Sequence, residues 1–200
     1  MITKPRAVAL VTGTLVLSAC GSVTAGQDTT AVSNAAPVMT TSSAQPSADF
    51  NEADVMFAQM MLQHHRQAVE MADLAGTRAS DKEVKDLAAK IKAAQEPEIQ
   101  TMQSWLKAWG KPMPTGGTME PGMPGGMSER DMERLKASTG SAFDKEFLRM
   151  MIRHHKGAIA MARAEQARGT NPQAKQLAGT IVTDQQAEVE QMRKILDRLQ

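Results

Sequence analysis

A six-residue segment that occurs twice most constrains what this chain can fold into. The first copy reads Met-Met-Leu-Gln-His-His from Met60, and the second reads Met-Met-Ile-Arg-His-His from Met150. The copies lie 90 positions apart without a gap, and together they contain all 4 histidines of the 200-residue chain. Two copies of one histidine-bearing segment predict two equivalent helices that present thioethers and imidazoles to a shared interior.

The repeat extends well beyond these segments, because residues 54–107 align with residues 144–197. Apolar positions recur at helical spacing, so each half predicts a helical hairpin with one apolar face. Two hairpins packed face to face would bury both faces. The expected fold is therefore all-α, a four-helix bundle made of two duplicated helical hairpins. In first-half numbering, the repeated positions include Asp54, Phe57, Met60, Met61, His64, His65, Ala68, Met71, Ala72, Lys85, Leu87, Ala88, Ile91, Gln95, Glu98, Met102 and Leu106.

Capping residues, glycines and prolines predict the helix ends. Ser47 or Asp49 is expected to cap a first helix that stops at Gly76, and a capping box at residues 80–83 is expected to open the second. Pro97 is expected to kink the second helix or loosen one of its turns.

The bundle is expected to occupy residues 49–200. Its halves, residues 50–109 and 141–200, would be joined by a linker at residues 110–127 and a short helix at residues 128–138. Met, Gly and Pro dominate the linker, and this composition excludes a regular element there.

The N-terminal segment predicts export and lipidation. A short basic region precedes an apolar run at residues 7–17 that is too short for a permanent membrane span. The sequence Leu-Ser-Ala-Cys ending at Cys20 resembles a bacterial lipoprotein cleavage box. We therefore expect residues 1–19 to be a signal peptide, Cys20 to be acylated, and residues 20–48 to form a flexible tether. The alternative is an uncleaved anchor with a free thiol.

This address would place the mature protein in the cell envelope, anchored to the lipid bilayer on its extracytoplasmic face. Acylation would also remove the single Cys20 from the set of metal ligands, which leaves Met, His, Asp and Glu. The formal net charge of +1 gives no indication of a nucleic-acid partner.

The repeated segments carry the candidate chemistry. On a helical wheel, Met60, His64 and Met71 share a central stripe, and Met61 and His65 flank it. Met60–His64 and Met61–His65 are one turn apart, which is close enough to hold one ion from one helix. The second half repeats the arrangement with Met150, Met151, His154, His155 and Met161.

These donors favour copper. Thioethers prefer Cu(I), and imidazole accepts copper as Cu(I) or Cu(II). Calcium and magnesium require oxygen ligands, and zinc is poorly served by methionine. The Glu-x-x-His pairs of ferritin-like di-iron bundles are absent from the sequence, which argues against oxygen activation and iron storage.

Two polar residues on the second helix of each half would lie level with the histidines. Glu98, Glu188, Gln95 and Gln185 are candidates either to fix a histidine tautomer by hydrogen bonding or to add a ligand. The alternative is that both glutamates bend out to solvent.

Core packing is the alternative for the whole Met/His stripe, because Met and Ala on an apolar face usually belong to a core. Two observations favour metal binding: a methionine precedes every histidine by four residues, and the linker holds Met113, Met119, Met123 and Met127. The linker methionines are not explained by a bundle core, although a merely flexible linker is the other interpretation.

The paired Met-Met-x-x-His-His segments, each followed by Met-Ala, resemble the domain-of-unknown-function 305 family over about residues 50–200. The resemblance implies a ferritin-like four-helix bundle, secreted or membrane-anchored in bacteria, with copper binding and resistance in some members. The positions matching the family's motif are His64, His65, Met60, Met61 and Met71, then His154, His155, Met150, Met151 and Met161. Gly157 replaces Gln67 in the second half, and Pro97 has no counterpart.

The expected function is that of an extracytoplasmic metal-binding lipoprotein that binds or sequesters copper and serves an envelope copper-handling protein. The main alternative is a structural or protein-interaction bundle of the envelope without metal. Oxidant scavenging by exposed methionines is a further alternative. An enzyme ranks last, because the sequence offers no nucleophile–base pair and no carboxylate-rich centre.

Overall fold

The structure, a computed structural model, describes residues 49–115 and 122–200. Within these ranges the chain forms helices and no strands. The helices are α1 (Glu52–Arg78), α2 (Lys82–Ala108), α3 (Glu129–Ala137), α4 (Gly140–Arg168) and α5 (Pro172–Arg198). The expected signal peptide, the acylation site at Cys20, the tether and Met119 lie outside the described residues.

The four long helices form two antiparallel hairpins, α1–α2 and α4–α5, which meet mainly through α1 and α4. The short α3 packs on α1 and α4, whereas α2 and α5 touch only lightly. This arrangement confirms the expected ferritin-like four-helix bundle of two duplicated hairpins. None of the described helices is both long and apolar enough to cross a membrane.

Several predicted helix ends are wrong because other residues supply the caps. Asn51, rather than Ser47 or Asp49, caps α1 and forms a capping box with Asp54. Helix α1 continues through Gly76, which therefore does not stop it. The cap of α2 is Asp81, whose carboxylate accepts hydrogen bonds from the backbone of the first turn.

Helix α2 runs unbroken across Pro97, whose side chain lies on the exposed face. A proline removes one backbone donor and crowds the preceding turn. The Thr101 hydroxyl donates to the Pro97 carbonyl at 2.9 Å, one turn further along. The sequence predicted a kink or a loosened turn at Pro97, and α2 continues on both sides of that residue.

The apolar core is divided into two clusters, one towards each end of the bundle. The first joins the second half of α1 to the first half of α4, and it contains Met71, Leu87, Phe147, Met150, Met151 and Met192. The second joins the first half of α1 to the second half of α4, and it contains Phe57, Met61, Leu106, Ala158 and Ile181. Every long helix passes from one cluster to the other, and at that crossing each carries polar residues.

Two buried aspartates tie the hairpins together at the ends of the bundle. Asp144 of α4 accepts hydrogen bonds from the Ser80 and Asp81 backbone N–H groups and from the Ser80 hydroxyl. Its counterpart Asp54 of α1 accepts from the Thr170 and Asn171 N–H groups and from the Thr170 hydroxyl. Each carboxylate therefore satisfies backbone groups at the start of a helix in the opposite half. The Ser80 side chain serves this contact instead of capping α2.

Candidate metal centre

A polar layer separates the two apolar clusters at the middle of the bundle. Its members are His64, His65, Gln95, Glu98, His154, His155, Gln185 and Glu188, and the four histidines are buried. The His64 and His154 rings lie at the junction of α1 and α4, with ring centroids 3.6 Å apart and an interplanar angle of 33°. The repeat therefore brings one histidine from each half into direct contact.

The other two histidines each contact a glutamate of the neighbouring helix in their own hairpin. His65 Nε2 lies 2.7 Å from Glu98 Oε2, and His155 Nε2 lies 2.7 Å from Glu188 Oε2. Both glutamates turn towards the imidazoles rather than away into solvent. Because a carboxylate accepts, Nε2 is the donor in each contact.

One ring nitrogen of every histidine lacks a hydrogen-bond partner. These atoms are His64 Nδ1, His65 Nδ1, His154 Nε2 and His155 Nδ1, and all are buried. A buried polar atom without a partner destabilises a fold by about 1–3 kcal/mol. Four such atoms in one layer are the arrangement that a bound cation would relieve.

The imidazoles at the centre are neutral. Burial, reinforced by the neighbouring His65, lowers the pKa of His64 to about 3. Burial also lowers the pKa of His154 well below its usual value, and the adjacent His64 adds to that effect. A histidine must be neutral to bind a metal, so at neutral pH neither ring has to release a proton first.

The two glutamines enter the layer without contacting a histidine through a hydrogen bond. Gln95 is buried, and neither atom of its side-chain amide has a partner. Gln185 is also buried, and its Oε1 has no partner. Their position matches the expected level, while their role towards a metal stays a prediction.

The candidate methionines divide into a buried set and a groove-lining pair. Met61, Met71, Met150 and Met151 are completely buried, whereas Met60 and Met161 are only half-buried and line a surface groove. The helical wheel placed Met60 at the centre of the buried stripe, and that prediction is wrong. The stripe is centred closer to Met61 and His65.

The linker covers the central histidine pair from one side. The Pro124 carbonyl accepts a hydrogen bond from His64 Nε2 at 3.1 Å. Pro124 can approach so closely because Gly157 of α4 has no side chain, and a Cβ there would overlap the Pro124 carbonyl group. Gly125 adopts a positive φ of +73° against the same turn of α4.

At the position in α1 equivalent to Gly157, Gln67 holds the other end of this cover. Its amide donates to the Met127 carbonyl at 2.9 Å and accepts from the Met127 N–H at 2.8 Å. The Gln67/Gly157 difference between the two motifs therefore marks where the linker docks. Sequence analysis noted the mismatch but missed Pro124, Gln67 and Gly157 as parts of the site.

Two of the linker methionines belong to the folded core. Met123 and Met127 are buried, and Met127 packs in the first apolar cluster. The Sδ of Met127 also accepts from Arg153 at 2.9 Å. The expectation that the core does not explain the linker methionines is therefore wrong for these two, whereas Met113 is exposed.

Within the described residues, His, Cys, Asp and Glu form no group of three or more that could hold a metal ion together. The four imidazoles share one layer, but they do not converge on one point in this arrangement. A metal bound there would combine one or two imidazoles with thioethers one helical turn away. Such a mixed donor set suits a soft ion and not a hard one.

The fold and the layer together define a class of protein: a duplicated four-helix bundle whose centre holds buried, neutral imidazoles with thioethers in the flanking turns. Residues 54–196 match the protein family described as domain of unknown function DUF305. The chain belongs to this family.

Solved structures similar to this chain include one protein, CopM, in copper-bound forms. A DUF305 protein of Streptomyces coelicolor is 32% identical with a TM-score of 0.69, over 74% of this chain and 93% of that chain. CopM in its Cu(II)-bound form is 33% identical with a TM-score of 0.66, over 74% of this chain and 97% of that chain. CopM is also known in Cu(I)-bound, silver-bound and apo forms.

A curated relative matches only in part. Protein L153 of Acanthamoeba polyphaga mimivirus is 44% identical over 54 residues, which is 27% of this chain. The match spans 36% of the length of L153. The structural relatives are therefore the broader comparison, and CopM among them is solved with copper bound.

Proposed function

We propose that this protein binds and sequesters copper in the cell envelope, through the buried imidazoles of the polar layer and neighbouring thioethers. The four unpartnered ring nitrogens carry the proposal, because a folded protein retains such atoms at a cost unless a ligand uses them. The likeness to copper-bound CopM supports the same conclusion.

The ion would take one or two imidazoles from His64, His65, His154 and His155, with thioethers from the fully buried Met61 and Met151 one turn before His65 and His155. Bound copper would supply a soft cation that accepts both nitrogen and sulfur lone pairs. Glu98 and Glu188 orient the His65 and His155 rings and make them stronger donors by accepting their Nε2–H groups.

The proposal is binding without turnover, on the extracytoplasmic face of the membrane. Its location depends on the lipoprotein box at Cys20, and its partner there would be a protein that handles envelope copper. Apolar packing immediately above and below the layer excludes water, which suits retention of an ion better than rapid exchange with a substrate.

A competition titration tests the proposal. The purified full chain is titrated with Cu(I) under reducing, anaerobic conditions and separately with Cu(II), each against a chromophoric chelator. The wild type should bind at least one Cu(I), and His64→Ala/His154→Ala should lose most of that affinity. Met113→Leu, at an exposed methionine, is the matched control and should bind as the wild type does.

Thermal unfolding separates this function from a purely structural bundle. A ligand at 100 times its Kd stabilises the native state by about 2.7 kcal/mol, so copper should raise the melting temperature of the wild type. The double histidine variant should not respond. If the wild type neither binds copper nor changes in stability, the polar layer has a structural role and the proposed function is wrong.

A further inference from the structure

The short helix α3 closes one of two surfaces that the repeat makes equivalent. Arg134 of α3 pairs with Glu146 of α4 at 2.6 Å, and Lys136 pairs with Glu70 of α1 at 2.7 Å. The apolar side chains beneath α3 join one core cluster, which contains Met132 and Leu135 of α3 together with Met71 and Met150. On this face, the thioethers of the two motifs are sealed from solvent.

The equivalent surface on the other side of the α1–α4 contact has no covering helix among the described residues. A groove of about 460 Å³ lies there, lined by Met56 and Met60 of α1 and Met161 of α4. Met60 is the repeat partner of the buried Met150, and Met161 is the partner of the buried Met71. The same motif residues are therefore buried on one face and accessible on the other.

The two acidic residues that hold α3 are not repeated at the groove. Met56 stands where the closed face has Glu146, and Ala160 stands where it has Glu70. The groove thus lacks counterparts of the two carboxylates that hold α3, although Glu52, Glu165 and Arg168 line it. It gains a third thioether instead, on Met56, which is 59% exposed and projects from the first turns of α1.

The groove and the polar layer share a residue. Pro124 lines the groove, and its carbonyl accepts the hydrogen bond from His64. Pro124 therefore borders both the groove and the central His64–His154 pair. A buried metal site needs a route by which the ion arrives, and the groove is open to solvent beside this residue.

We propose that Met56, Met60 and Met161 form a surface site for a monovalent soft cation of the Cu(I) class, from which the ion passes to the buried imidazoles. This inference rests on the proposed copper-binding function and adds the route of uptake. Three neutral thioethers hold such an ion without a proton to displace. Transfer is then an exchange of sulfur for nitrogen ligands, with no change in oxidation state.

Silver(I) provides a redox-inert probe of the site. In the full chain with ¹³C-labelled methionine methyl groups, Ag(I) is added below one equivalent and the methyl spectrum is recorded. The signals of Met56, Met60 and Met161, assigned with Met→Leu variants, should shift during uptake, whereas the exposed Met113 signal should not. Shifts confined to other methionines would overturn the assignment.

Uptake kinetics test the route itself. Stopped-flow transfer of Cu(I) from a chromophoric chelator should be slower in Met56→Leu/Met161→Leu by about tenfold or more, while the equilibrium affinity of the imidazole centre changes by less than about threefold. Leucine conserves the apolar volume, so this double variant should fold. Met113→Leu is the control and should react at the wild-type rate.

The outcomes separate the two proposals. A wild type that takes up neither Cu(I) nor Ag(I) contradicts the copper-binding function and the route together. A wild type that binds Cu(I) at the histidines, with no slowing in the Met56→Leu/Met161→Leu variant, contradicts the route alone.

Discussion

The two halves of the bundle are alike at the centre and different at the surface. The His65–Glu98 contact in the first half and the His155–Glu188 contact in the second have the same length, 2.7 Å. The covering elements differ: among residues 49–115 and 122–200, α3 seals one face, and the linker reaches the central pair from one side.

This contrast shows how a duplicated chain can acquire two different surfaces around a symmetric centre. The duplication supplies two equal sets of imidazoles and carboxylates, which suits a shared buried centre. The segment between the halves has no copy, so whatever it covers becomes unequal. Gln67 and Gly157 occupy equivalent positions but contact the linker differently. Gln67 hydrogen-bonds to Met127, whereas Gly157 leaves room for the Pro124 backbone.

The largest effect is expected at the two aspartates that join the halves. Asp144→Ala and Asp54→Ala each remove a buried acceptor and leave helix N-terminal N–H groups without a partner. Each should lower the free energy of unfolding by roughly 3 kcal/mol, measured by chemical denaturation.

The control for these aspartates is Asp73→Ala, which removes an exposed partner of Lys92 and should change stability by less than about 1 kcal/mol. Equal losses at Asp54 and Asp144 would show that the two ends are energetically equivalent. A loss no larger than that of the control at either end would show that packing alone holds that end.

The next effect tests where the linker breaks the repeat. Gly157→Ala gains roughly 1 kcal/mol of helix propensity but drives a Cβ into the Pro124 backbone, which cannot move aside as a flexible side chain can. We expect a net loss of about 2 kcal/mol and loss of the His64–Pro124 hydrogen bond, seen in the ¹⁵N shifts of the His64 ring.

Two variants sharpen this test. Gly76→Ala, in open space inside α1, should stabilise the protein by up to about 1 kcal/mol. Gln67→Ala should destabilise it by about 1–2 kcal/mol, through two lost hydrogen bonds to Met127. Stabilisation by Gly157→Ala would mean that the linker does not pack on α4 in solution.

These same contacts mark the limit of prediction from sequence. The fold was predictable, because identical apolar positions in two halves leave few ways to bury both hairpin faces. The approach of Glu98 to the histidine level was also predictable, from helix length and the position of the turn. The caps of α3 and α5, Ser128 and Asn171, were predictable as well. The cap of α2 was not, because the Ser80 hydroxyl donates to Asp144, 64 residues away.

The exposure of Met60 and the burial of two linker methionines could not be predicted for a similar reason. A helical wheel ranks positions on one helix, but α3 and the linker decide which methionines reach solvent. Neither α3 nor the linker has a copy in the repeat that could reveal its place. The sequence also did not predict that Glu165, which replaces Ala75 of the first half, would be buried beside Asp54.

A third prediction concerns that residue. Glu165 is buried with no hydrogen-bond donor on either oxygen, and burial followed by the neighbouring Asp54 raises the pKa of Glu165 to about 8. Burial also acts to raise the pKa of Asp54, but the hydrogen bonds that its carboxylate accepts outweigh burial and lower that pKa overall. The pair therefore keeps one proton, on Glu165.

The sign of the pH dependence follows from that proton. The folded state holds it up to about pH 8, whereas an unfolded glutamic acid releases it near the ordinary pKa of 4.5. The stability from Glu165 is thus complete below pH 4.5 and is lost as the pH rises through 8. Between about pH 6.5 and pH 9 we expect a fall of about 1–2 kcal/mol in the free energy of unfolding.

Glu165→Gln keeps a donor towards Asp54 at every pH, so its stability should be flat over the same window. Glu165→Ala reproduces the first half, where the equivalent residue is Ala75, and should also be flat. Urea denaturation at several pH values provides the measurement. A slope that persists in both variants would assign the pH dependence to another group.

The smallest effect is expected at the centre, where the halves agree. Glu98→Gln and Glu188→Gln each keep an acceptor for the histidine Nε2–H but remove the negative charge that strengthens the imidazole as a donor. Each should weaken copper affinity by up to about tenfold, by the same factor in both variants, with little change in the stability of the apo protein. Competition titration measures both affinities.

Unequal losses would show that the linker makes the centre itself asymmetric. Equal losses would show that the two halves contribute equally to the binding centre. If uptake also slows only when the groove methionines are replaced, then the two halves differ in the route to that centre.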